Sequence, residues 1–242
     1  SELVTQATID SRIWPRTLAI AERFWSPRQI NDVDDMYRRL EINSIRMEEL
    51  GLTHIKNYEM MLRRLTRSRN TDALKTLVDV LEPVKVYSRH SQGVKYTSYS
   101  PYTRVVDAAK PDSRTARLFS KLVDEYLIHE NEIKAEKIEM QLQEWKENHK
   151  KLKPFIDNSP VLQEIEPVSD VLSQLADKGI EAIGYIQNNS TPTDEWAETA
   201  SKIIAQAKTP CQHPVSMKKI PCGQCELMVI EPIERLIKQA RK

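Results

Sequence analysis

The chain has 242 residues and a formal net charge of +1, from 36 Lys and Arg against 35 Asp and Glu. So even a balance carries no basic footprint for nucleic acid, no apolar run approaches the ~20 residues that cross a bilayer, and five isolated glycines exclude a glycine-rich phosphate loop. Three cysteines do not make a disulfide framework, while scarce glycine and abundant Leu, Ile, Glu, Lys and Arg favour helix throughout.

The first predicted helix runs from Asp10 to Ser26. Ile13, Trp14, Leu18, Phe24 and Trp25 crowd one broad apolar face. A second helix runs from Asn31 to Gly51, with Gly51 as its C-terminal cap. A third carries Ile55, Tyr58, Leu62 and Leu65 and ends in a cluster of Arg63, Arg64, Arg67 and Arg69, which suits a helix C-terminus. Asn70 or Thr71 caps a fourth, with Leu74, Leu77, Val78 and Leu81, which Pro83 stops.

The stretch from Val84 to Thr103 has no helical period and is long for a connection between helices. It holds Tyr87, Tyr96, Tyr99 and Tyr102. These rings either face sugar rings or anchor the loop on the helices, rings buried and hydroxyls wet. After a short apolar segment, Ser113 or Asp112 caps a predicted helix from Arg114 to about Lys153. That would be about 40 residues and roughly 60 Å. Its two offset apolar stripes suggest two partner surfaces.

Val161, Ile165, Val168, Leu172, Leu175, Gly179, Ala182 and Ile186 then recur at steps of four and three, the seam of an antiparallel bundle helix. Pro167 predicts a restart near Glu166. Thr193 starts a further helix through Trp196, Ala200 and Ile203, and the last begins at Pro232. Between those two stands Cys211-x-His213 followed by Cys222-x-x-Cys225. Three thiolates and an imidazole are a tetrahedral zinc set. The alternative is free cysteines or one disulfide, which export from the cytoplasm would favour.

Three words near the N-terminus carry a resemblance: Ser1-Glu2-Leu3, Asp10-Ser11-Arg12-Ile13-Trp14-Pro15-Arg16 and Ala19-Ile20-Ala21-Glu22-Arg23-Phe24-Trp25-Ser26. They resemble the end of the catalytic barrel of glycoside hydrolase family 20, the β-N-acetylhexosaminidases. There the last strand ends in Trp-x-Glu and the closing helix follows, so this chain would begin just after that tryptophan. The resemblance implies a (β/α)8 barrel in the parent, with its site at the strand C-termini. It also implies substrate-assisted hydrolysis, in which an Asp-Glu pair orients the acetamido group and supplies the acid. That pair lies upstream of the last strand and is expected to be absent here. Asp124-Glu125 and Asp194-Glu195 read as helix residues, the second pair as acids favoured by a helix N-terminus.

The expected architecture is all-α: a multi-helix bundle over 31–242, preceded over 1–30 by a remnant terminal helix of the barrel. The expected role is non-catalytic, as the C-terminal helical domain of a bacterial β-N-acetylhexosaminidase that removes terminal N-acetylhexosamine residues from glycans. By resemblance, Glu2 matches the family glutamate that hydrogen-bonds the terminal sugar, and the parent is periplasmic or extracellular. Expected partners are the parent's own barrel, its N-acetylhexosamine glycan and a second copy of the chain in a homodimer. No nucleic acid and no transmembrane segment are expected. The closing helix is expected to be ordered and mostly buried. The alternatives are a carbohydrate-binding module using Tyr87, Tyr96, Tyr99 and Tyr102, or a zinc-stabilised interaction domain on Cys211, His213, Cys222 and Cys225. Apart from that zinc, no cofactor is expected.

Overall fold

The computed structural model describes residues 5–85, 97–209, 211–212, 219–220 and 222–242. The predicted first helix is two: α1 (Ile9–Ile13) and α2 (Arg16–Trp25). Pro15 has no N–H to continue the ladder, and the residue before a proline is driven out of the α region. Trp14 is accordingly extended, at φ −105° and ψ 148°.

α3 (Val33–Glu49) starts at Asp32, whose carboxylate accepts the Asp35 N–H at 3.0 Å, and ends before Gly51 at φ +94°, the left-handed position expected of a glycine cap. α4 (Lys56–Thr66) buries Tyr58, Met61, Leu62 and Leu65. α5 (Asp72–Val78) is shorter than predicted. Leu81, placed on that helix by its spacing, lies instead in the strand β1 (Leu81–Pro83). α6 (Val105–Ala108) is one buried turn.

The predicted 40-residue helix is a hairpin of α7 (Arg114–Ile128) and α8 (Glu132–Asp157). Ser113 caps α7 as expected, its Oγ accepting the Ala116 N–H at 3.1 Å. The break comes at Asn131, whose side chain accepts the Lys134 N–H at 3.3 Å and starts a new helix. The stripe of Ile138, Leu142, Trp145 and Leu152 lies on α8 and is buried, whereas the other is split by the break: Phe119 and Tyr126 are buried on α7, and Ile133 and Met140, predicted to continue it, stand exposed on α8. Phe119 of α7 meets Trp145 of α8 edge to face, with ring centroids 4.6 Å apart.

α9 (Glu166–Gln187) does restart at Glu166, with Pro167 tolerated in the first turn. α10 (Asp194–Lys208) is capped by Thr193, and α11 (Ile230–Ala240) closes the chain. α9 is the axis: α8 packs most extensively along it, α11 lies on its other flank, and α7 packs on α11. Ile165, Val168, Leu172, Leu175, Gly179 and Ala182 of the predicted seam are buried, as expected. At Gly179 a Cβ would stand 3.0 Å from Leu142 and 3.5 Å from Ile233. The missing side chain lets three helices close on one another.

β4 (Cys225–Leu227) pairs antiparallel with β1, Leu81 opposite Leu227. The two-residue strands β2 (Cys211–Gln212) and β3 (Lys219–Ile220) pair likewise. The architecture is an all-α bundle with these short strand pairs as clips. No helix among the described residues is long and apolar enough to cross a membrane.

Candidate functional site

Three places in the fold hold the chemistry that the sequence singles out. The first is the N-terminal pair of helices. Arg12 is buried, and its guanidinium donates to the carbonyls of Ala109 at 3.0 Å and Val106 at 2.8 Å. The Asp10 carboxylate accepts from the Thr53 N–H at 2.7 Å and the Thr53 hydroxyl at 2.8 Å. Asn57 donates to the Ala7 carbonyl at 3.0 Å. α1 is thus tied to the start of α4 and the end of α6.

α2 is different. It is ordered, and Glu22 and Arg39 pair it with α3, but no residue of it is buried. Phe24 is 84% exposed and Trp25 89%. The expectation of a mostly buried helix is corrected: Trp14 and Leu18 are half-buried, while the apolar end of α2 faces outward. The bundle's hydrophobic core is built from α4 to α11 and includes no residue of α2.

The second place is the tyrosine segment. Tyr99 is 94% exposed. Tyr102 is more than half exposed, with the Arg64 guanidinium 5.0 Å above its ring, and Arg64 donates to the Thr103 hydroxyl at 2.6 Å. Tyr87 and Tyr96 lie outside the described residues, as does Glu2.

The third is the cysteine cluster. Cys211 and Cys222 are joined by a disulfide, and Cys225 is a buried thiol. Cys211 and Cys222 of the expected zinc set are therefore bonded to each other here and are not thiolates, the form in which sulfur binds zinc. His213 lies outside the described residues. All three cysteines border a cavity of about 460 Å3 beside Val168, Val171 and Ile230.

A cleft that the sequence did not signal lies behind α1. It has a volume of about 440 Å3 and is walled by the Trp14-Pro15 turn, α3, the start of α4 and the start of α7. Tyr58 forms one side: its hydroxyl donates to Asp79 at 2.6 Å, and burial raises its pKa. Two ammonium groups sit over its ring, Lys110 at 4.4 Å and Lys75 at 4.7 Å from the centroid. On the opposite side Arg117 stacks 3.3 Å over Tyr37, and Arg114 pairs with Glu41, whose pKa it lowers. His54 accepts or donates through Nε2 at 2.7 Å from the Ser44 hydroxyl, and burial lowers its pKa. These residues come from positions far apart in sequence, some on helices and others, such as His54 and Lys110, in the connections between them, so no motif signals them.

No protein-family model matches the chain. Over 51 residues, 21% of the chain, it is 37% identical to β-hexosaminidase subunit β of Mus musculus, of which that stretch is 10%. A stretch of the same length is 41% identical to the Homo sapiens subunit, 9% of that protein. The crystal structure of a chitobiase from Flavobacterium johnsoniae superposes with a TM-score of 0.82 and 36% identity, covering 98% of this chain and 34% of that one. The chain is related to glycoside hydrolase family 20. The family likeness is local in the curated relatives, where the match spans about a tenth of their length. In the chitobiase it takes in nearly the whole of this fold, which corresponds to about a third of that chain.

Proposed function

We propose that this chain is the non-catalytic helical part of a β-N-acetylhexosaminidase, built to pack against the enzyme's catalytic barrel. The observation that carries this reading is the chitobiase likeness, which runs through 98% of this chain yet leaves about two thirds of that enzyme outside it. The exposed end of α2 supports it. Ile20, Phe24 and Trp25 form an apolar patch on the helix that resembles the one closing the family barrel. Burying each large side chain would contribute about 1.5–3 kcal/mol. α1 supplies the rigid mount, since Arg12 and Asp10 fix it to the bundle behind.

In this reading, hydrolysis of terminal N-acetylhexosamine belongs to the barrel, and Glu2 is a sugar-binding residue of the barrel's last strand. The Cys211–Cys222 disulfide fits an exported parent, periplasmic or extracellular. Incubation of this chain with a chromogenic N-acetylglucosaminide is expected to match a blank. Turnover that co-elutes with the protein through repurification would remove the reading.

The near-complete exposure of Tyr99 favours a second role, contact with the glycan. Titration with N-acetylglucosamine oligomers tests it. Binding that Tyr99→Ala abolishes supports a carbohydrate surface, and no saturable binding sets it aside.

A further inference from the structure

The cleft behind α1 has a strongly charged lining. Its lining carries five cationic side chains against three carboxylates. Lys75 pairs with Glu59 at 3.2 Å and Arg114 pairs with Glu41. Among the described residues no carboxylate comes within ion-pair distance of Lys110, whose ammonium rests on the Tyr58 ring with the Asp79 and Glu59 carboxylates near enough to act on it electrostatically. Lys110 and Arg114 also border a smaller cavity of about 170 Å3 alongside, which Asp79, Ser113 and Thr115 line with them. Among the described residues His54 Nδ1 is buried without a hydrogen-bond partner, a condition rare enough in native folds to need a cause, while Arg117 Nε has only the Asp112 carboxylate at 4.0 Å. Trp14, Leu40, Ile45, Ile55 and Pro111 supply the apolar part of the wall, and Ser11 and Ser44 add hydroxyls.

We propose that this cleft binds a small organic anion, a carboxylate or a phosphate monoester carrying an apolar ring, with Lys110 taking the charge and Trp14, Leu40 and Ile45 covering the ring. An apolar wall with a few convergent polar groups is the usual make-up of a small-molecule site. A cation held in a partly desolvated niche attracts an anion far more strongly than the same cation in open water. Lys110 is exposed as a residue, yet desolvation lowers its pKa. An incoming anionic group would restore what that niche withholds. The proposal stands independently of the hexosaminidase reading.

Phenyl phosphate and phenylacetate separate the two anion classes, and benzyl alcohol is the neutral control. Each is titrated into the whole chain by calorimetry. Saturable binding of at least one anion is expected, and none of the alcohol. Lys110→Gln is expected to weaken that binding about tenfold or more, the loss typical of a hydrogen bond to a charged group, at an unchanged melting temperature. Lys110→Arg is expected to retain it, and added salt to weaken it. Three results would each overturn the site: no saturable binding of either anion at millimolar concentration, equal affinity for the alcohol, or full affinity in Lys110→Gln.

Discussion

Arg12 shows how one side chain fixes an entire segment. Its guanidinium satisfies two carbonyls at the end of α6, one turn too short to supply its own closing ladder. Arg12→Ala leaves both carbonyls without that donor and is expected to cost about 2–4 kcal/mol. Thermal unfolding checks it: a drop of several degrees is expected, and an unchanged midpoint would mean that α1 is loosely held. His54 gives a pH test at the same scale. Burial depresses its folded pKa below the ordinary 6.5, so the unfolded chain binds the extra proton first. The neutral ring therefore stabilises the fold fully above pH 6.5, and that contribution is lost as pH falls through 6.5 towards the depressed value. His54→Gln is expected to flatten the fall in melting temperature over that window. A slope identical to that of the unaltered chain would contradict the assignment.

Elements were legible in the sequence where the signal was local. Thr193, Ser113 and Gly51 each mark a helix end by a side chain or a backbone freedom that acts within a few residues, and each does so in the structure. The α9 seam was readable because one helix face alone specifies it. What was not legible depended on partners distant in sequence. β1 is strand only because residues 225–227 arrive alongside it, and the α7–α8 break hides inside a charged run where helix propensity is high throughout. Asn131 was the one available clue to that break. Asn131→Ala is expected to cost about 1 kcal/mol through the lost cap, measured by denaturant titration, and no change would place the turn's cause elsewhere. Gly179 holds three helices together. Gly179→Val puts a branched side chain where a single Cβ already stands 3.0 Å from Leu142, so a destabilisation of about 2 kcal/mol or more is expected in the same titration.

The candidate sites divide along the same line. The disulfide was one of two readings of the cysteines, and spacing alone did not decide between them. The cleft needed the packing of α3, α4 and α7 before its cations faced one another. At the scale of the whole molecule the central claim is that the outward end of α2 is a docking surface for a catalytic barrel. The apolar face was visible in the sequence, but its exposure was not, because amphipathicity does not say which body the face meets. Oxidative footprinting read by mass spectrometry at Phe24 and Trp25 tests this most directly, comparing this chain alone with a polypeptide in which a catalytic barrel of the family precedes it. Heavy labelling of both side chains in the isolated chain, and strong protection in the longer one, is the predicted result. Equal labelling in the two would contradict it.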